Sequence, residues 1–334
     1  MTSKIEWTDE TWNPVIGCSH ISAGCENCYA EKMAIRLMNM ECRGYINKDV
    51  VRNSTGWTGK TAFVESALHK PLHWRKPRRI FVCSMGDLFH DSVPFEWVDQ
   101  VLAIAWQCPQ HTFQILTKRP KRMAQYFSPE NLRYSARKIA DLLPPGTFGT
   151  FDCDMNWPME NLWLGVTAEN QKTADYRIPE LLLIPAAVRF VSVEPMLGPV
   201  DLRRLDYDKG VIGIDSLAGT CGVYQLDNAE CPRLDWVICG GESGPGARPM
   251  DPDWVRSLRD QCGEAETPFF FKQWGHWCHL EQMPDDTFAQ IDASDNSPTA
   301  PSDYKKPWGI GKKAAGKELD GQIWHQFPTP ATDS

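Results

Sequence analysis

The sequence predicts an α/β chain whose parallel strands close, fully or partly, into a (β/α) barrel. Short apolar runs bounded by turn residues recur along it, and stretches long enough for a helix separate them. Polar and ionisable residues collect just beyond the C-terminal ends of the runs. Continuous apolar runs suit strands buried on both faces, and alternation of β with α argues for a parallel sheet. In such barrels the chemistry gathers at the C-terminal strand ends.

The first strand is expected near Trp12–Ile16, and a helix-like run follows Cys28. Further strands are expected within Arg79–Leu88, Thr112–Arg119, Leu162–Asn170, Val188–Glu194, Trp236–Ser243 and Phe269–Gly275, about seven in all. Pro94–Gln107, Pro120–Phe127 and Pro252–Cys262 read as helices between them. Two stretches read as insertions. Residues 128–160 hold Pro144-Pro145-Gly146 and Asp152-Cys153-Asp154, and residues 198–235 hold several glycines with Cys221 and Cys231, read as unpaired thiols. The barrel is thus expected over 1–280. Residues 281–334 are set apart as an acidic loop and a basic extension carrying Lys305, Lys306, Lys312, Lys313 and Lys317.

The chain has 334 residues, 42% hydrophobic, enough for a large core. Its net charge of −8 disfavours a non-specific polyanion binder. No apolar run reaches membrane length and the first residues lack a signal-peptide core, so a cytoplasmic protein without a membrane partner is expected. There, twelve cysteines read as thiols and metal ligands, not as disulfides.

Cys18, Cys25 and Cys28 form C-x6-C-x2-C, with Ser19, Ser22, Ala23 and Gly24 inside the loop. Three thiolates in a short loop, with no fourth cysteine near, suit a [4Fe–4S] cluster with one iron open to a ligand. His20 offers an alternative Cys₃His zinc set, although ligands two residues apart crowd a tetrahedron. Three unligated thiols are the third reading.

Further segments join this motif: Ile5-Glu-Trp-Thr-Asp9, Cys83-Ser-Met-Gly-Asp-Leu-Phe89, Leu116-Thr-Lys-Arg-Pro120, Val193-Glu-Pro-Met-Leu-Gly198, Gly240-Gly-Glu-Ser-Gly-Pro-Gly-Ala-Arg-Pro249 and Phe270-Phe-Lys-Gln-Trp-Gly275. Together they resemble a phage-associated, three-cysteine-motif, radical-SAM-like family whose reaction is not settled. The likeness covers most of the chain apart from the insertions and the acidic loop. Radical SAM enzymes at large carry C-x3-C-x2-C with an aromatic before the third cysteine; here the first gap is six, Asn27 holds that place and Tyr29 follows.

The resemblance implies a barrel of the radical SAM type. Cys18, Cys25 and Cys28 would hold the cluster, and S-adenosylmethionine (SAM) would chelate its open iron. By the same analogy Gly86 and Asp87 meet the SAM amino group, and Lys118 or Arg119 meets its carboxylate. Glu169 and Asn170 take the ribose, and Gly240, Gly241 and Ser243 approach the adenine. Asp87→Ala should then weaken SAM more than it disturbs the cluster. A flavodoxin- or ferredoxin-like reductant would drive cleavage of SAM to a 5′-deoxyadenosyl radical for hydrogen abstraction. Glu194, Glu242 and Lys272 become catalytic candidates, with Trp274 and Trp277 on the substrate side. The expected substrate is a nucleic acid or nucleotide, its base stacked on aromatic rings beside lysines. Two other classes stay open: a zinc- or cluster-stabilised nucleic-acid or partner-binding protein, and a non-radical enzyme on the same barrel.

Overall fold

The computed structural model describes residues 5–40, 49–144, 157–208, 210–223, 229–283, 287 and 307–329. Seven strands form one sheet: β1 (Glu10–Trp12), β2 (Arg79–Val82), β3 (Thr112–Thr117), β4 (Leu162–Thr167), β5 (Val188–Val193), β6 (Trp236–Gly240) and β7 (Phe269–Gln273). Their order in the sheet is their order in the chain, and every neighbouring pair is parallel. A sheet wound in one direction has no switch point of the doubly wound kind. It curls into a half-barrel, with β1 and β7 at its two ends.

Side chains alternate between the two faces of each strand. Phe81, Trp163, Phe190, Trp236, Ile238 and Phe270 point into the concave side, where Trp7 packs with them. The Trp7 ring lies 4.8 Å from Phe81 and 6.2 Å from Trp236, centroid to centroid. Ile80, Val82, Phe113, Ile115, Leu164, Val191, Val237 and Phe271 face outward and join the larger core with the helices. Burial on both faces is why these strands read as unbroken apolar runs.

The longer helices among the described residues are α1 (Tyr29–Asn39), α2 (Phe95–Trp106), α3 (Pro120–Tyr126), α4 (Pro129–Leu142), α5 (Gln171–Leu182) and α6 (Pro252–Glu264). In α2, Val98, Val101, Leu102 and Ala105 are buried, the spacing of one helix face. At α5, Asn170 and Thr173 form a capping box, which starts a helix that carries an internal Pro179.

Three placements differ from the sequence expectation. β1 ends at Trp12, because Pro14 has no amide to continue a ladder, and Val15–Ile16 instead pairs antiparallel with Ala62–Phe63. The first part of the 128–160 stretch is α4, started by the Ser128 hydroxyl, with Ile139 in the core. The 198–235 stretch holds a four-stranded antiparallel sheet made of Leu205–Tyr207, Ile212–Asp215, Thr220–Val223 and Ala229–Glu230. Pro145-Gly146, Asp152-Cys153-Asp154, nearly all of the acidic loop, Lys305 and Lys306 lie outside the described residues.

Near the end of the chain His325 bridges antiparallel to Phe270, and Gln326 N donates to Phe269 O at 3.1 Å. This segment covers the open edge of β7. Phe327 then enters the concave side, 5.3 Å from Trp236, with the Arg79 guanidinium of β2 4.0 Å from its ring. Residues 5–8 and 324–327 thus fill the gap between the two ends of the sheet. Among the described residues, no helix is long and apolar enough to cross a membrane.

Candidate functional site

The cysteine loop lies across the C-terminal mouth of the half-barrel. Gly17 has φ +99° and bridges to Gly86, where an added Cβ would lie only 3.0 Å from the Gly17 carbonyl. Close passage of two backbones therefore accounts for glycine at 86. The contact sets Cys18 beyond the end of β2. Cys25 closes a single 3₁₀ turn, Ala23–Cys25, and Cys28 caps α1.

Three polar networks tie the loop to three strand ends. After β2, Asp87 accepts from Phe89 N, Lys118 N, the Thr117 hydroxyl at 2.7 Å and Arg119 Nη1 at 3.0 Å. Arg119 is 7% exposed; its Nη1 also donates to Cys18 Sγ at 3.7 Å, and its Nη2 to Ser19 Oγ at 2.7 Å. After β4, the fully buried Glu169 pairs with Lys118 and Arg177, both at 3.0 Å, and accepts from the Ser22 hydroxyl at 2.9 Å. Gly24 packs against it, since a Cβ there would fall 2.5 Å from Glu169 Cγ. After β6, Glu242 accepts from Asn27 Nδ2 and from Arg248, which reaches on to Glu26 and to the Ala23 carbonyl.

The remaining candidates divide. Glu194 and Lys272 pair at 2.5 Å across the mouth, both partly exposed, with Gly240 between them. Gly241 backs onto the Trp274 carbonyl, and the Ser243 hydroxyl accepts from Gln273 Nε2. Asn170 spends its side-chain carbonyl on the cap of α5. Trp274 is a core residue donating to Glu318 O, and Trp277 donates to Ala247 O. The structure therefore gathers Asp87, Lys118, Arg119, Glu169 and Glu242 beneath the loop, whereas Glu194 and Lys272 pair with each other.

Burial pushes the Cys18 thiol up to about 12, with Asp87 adding to the rise and Arg119 opposing it. Burial also raises Cys28, against the pull of the first amides of α1 and of Lys118. Among the described residues, no three His, Cys, Asp or Glu side chains stand together as a metal-holding group. The donor chemistry nevertheless fits an iron–sulfur cluster: three thiols on one loop, with a guanidinium, an ammonium and helix amides to offset thiolate charge. His20, half exposed, turns away from the thiols to Glu31 at 3.1 Å.

Burial alone would raise the Glu169 carboxyl, but Lys118 and Arg177 outweigh it and hold it at about 2 against an ordinary 4.5. A depressed folded value stabilises the fold above the ordinary pKa and is lost as pH falls through the folded one. Glu169 should thus contribute about 3 kcal/mol at neutral pH, fading between pH 4.5 and about 2. Acid titration of urea stability should show a shallower slope over that window in Glu169→Gln than in the parent protein, the remaining slope coming from other depressed carboxylates such as Glu242 and Asp320.

Arg177, Arg248, Ser22 and Tyr29 are site residues that sequence reasoning did not single out as ligands or partners. Arg248 alone left a signal, a cation following the turn Gly244-Pro245-Gly246 after a strand end. No curated protein and no solved structure is similar enough to this chain to match it. A sequence profile for the family described as protein of unknown function (DUF5131) matches residues 2–328, and the chain belongs to that family.

Proposed function

We propose that the chain is an iron–sulfur enzyme in which Cys18, Cys25 and Cys28 hold a [4Fe–4S] cluster beneath a mouth that takes SAM. One observation carries this reading: a three-thiol loop is fixed by three charged networks over the C-terminal end of a parallel half-barrel, where chemistry gathers in such folds. With both groups bound, one electron from a flavodoxin- or ferredoxin-like donor would break the S–C5′ bond of SAM, giving methionine and a 5′-deoxyadenosyl radical that abstracts hydrogen from substrate.

The protein's own part is to position and exclude water. Arg119 orients the Cys18 sulfur, and Asp87 holds Arg119. Glu169 and Glu242 fix the loop through Ser22 and Arg248, a positioning task in place of ligand or catalytic contact. Glu194 and Lys272, paired with each other and partly exposed, are the candidates for meeting a ligand.

Anaerobically reconstituted protein should be brown and carry about four irons per chain. Cys18→Ala, Cys25→Ala and Cys28→Ala should each abolish the colour, Cys221→Ala should not, and the reduced protein should release 5′-deoxyadenosine from SAM. Colourless protein with one tightly held zinc, or an iron-loaded protein that leaves SAM intact, overturns the proposal.

A further inference from the structure

Beside the cysteine loop, a buried histidine carries a hydrogen-bond chain whose direction is fixed by one backbone amide. His90 follows β2 and is 3% exposed. Its Nδ1 lies 3.1 Å from the Ser92 amide nitrogen and 2.9 Å from the Ser92 hydroxyl. An amide N–H only donates, so Nδ1 is the bare acceptor nitrogen and the imidazole is neutral. Burial, with the positive charge of Arg119, also holds the ring's pKa below its ordinary value. The proton of the neutral ring then sits on Nε2, which lies 2.9 Å from Ser19 Oγ and donates to it. Arg119 Nη2 donates to the same oxygen at 2.7 Å.

A hydroxyl has two acceptor lone pairs and one proton to give. His90 and Arg119 fill both lone pairs of Ser19, so its proton points elsewhere, and among the described residues nothing accepts it. Ser19 directly follows Cys18, and one guanidinium meets both residues, Cys18 Sγ through Nη1 at 3.7 Å and Ser19 Oγ through Nη2. A hydroxyl with its lone pairs filled, next to a ligating cysteine, is a ready donor to anionic sulfur. We infer that the Ser19 hydroxyl donates to a sulfur of the cluster, and that His90 is the positioning residue that turns its proton that way. The inference rests on the proposed function for the cluster itself. A hydrogen bond to cluster sulfur favours the reduced, more negative state and so raises the reduction potential.

The test is a redox titration of the reconstituted protein without SAM, followed by electron paramagnetic resonance. Ser19→Ala should be about tenfold harder to reduce at a fixed donor potential, a midpoint lower by about 59 mV for one electron. Ser19→Thr keeps a hydroxyl and should stay near the parent. His90→Phe should lower the midpoint in the same direction, and adding it to Ser19→Ala should lower it no further. Nitrogen-15 NMR of histidine-labelled protein before reconstitution should show His90 neutral, with its proton on Nε2. The inference fails if Ser19→Ala keeps the parent midpoint, which leaves the hydroxyl to water. It fails equally if the midpoint holds while SAM binding weakens, which assigns the proton to the cofactor, or if the His90 proton is on Nδ1. Should Ser19→Ala retain no iron, His90→Phe decides, since it leaves the hydroxyl in place: a parent-like midpoint there overturns the inference. A parent protein that takes up no iron sinks the proposed function instead, whatever tautomer His90 shows.

Discussion

Arg177→Met is expected to cost about 3 kcal/mol of stability, because it leaves a carboxylate in the core short of its deepest partner. Arg177 is 2% exposed; its Nη1 donates to Glu169 at 3.0 Å and to the carbonyl and hydroxyl of Thr167. Lys118 and Ser22 would remain on Glu169, which holds the loss at the low end of that seen for broken buried pairs. Adding Glu169→Gln should recover part of the loss, since a neutral amide needs no counter-ion. Urea unfolding of the two single variants and the double closes the cycle. An Arg177→Met protein within about 0.5 kcal/mol of the parent, the usual range for surface changes, would show that the pair does not hold the loop.

Asp87→Ala should be comparably severe, and its signature separates two roles. The carboxylate accepts hydrogen bonds from two amides, a hydroxyl and a guanidinium, and deleting it removes all four in a site that is 5% exposed, leaving Arg119 with Ser19 and Cys18. About 3 kcal/mol or more is expected, with Asp87→Asn losing less because an amide oxygen still serves some of the donors. Arg119 then rests beside Cys18 on its Ser19 bonds without the ion pair that fixes Nη1, so iron retention after reconstitution should fall together with SAM binding. The sequence resemblance led to the opposite ordering, with SAM lost first. If iron stays at the parent level while SAM binding alone falls, Asp87 is a ligand group after all.

The sheet was legible because its strands are buried twice. Runs such as Leu162-Trp-Leu-Gly-Val-Thr167 and Trp236-Val-Ile-Cys-Gly240 leave no polar face to confuse the period. The helices were less so: α5 contains a proline that argues against a helix, and α4 lies in a stretch whose Pro-Pro-Gly reads as an irregular insertion. That ionisable residues crowd the strand ends was also plain from the residues alone. What each one faces was not, because Glu169 meets Arg177 one helix later and Glu242 meets Arg248 across a turn, and those partners arise only on folding. In the fold, Glu169 and Glu242 each meet a cation of the same chain.

The way the half-barrel is closed governs when it can form. Trp7 contacts Trp236, and Trp236 in turn donates its indole proton to the Gln326 carbonyl and lies against Phe327. Parallel pairings already demand long loop closures, and Trp7 and Trp236 stand more than two hundred residues apart in the chain, so slow folding follows. During synthesis the nascent sheet would emerge with its concave aromatic side and the edge of β7 uncovered until residues 324–327 leave the ribosome. Through that interval the chain presents the surface on which chaperones act and from which aggregates grow.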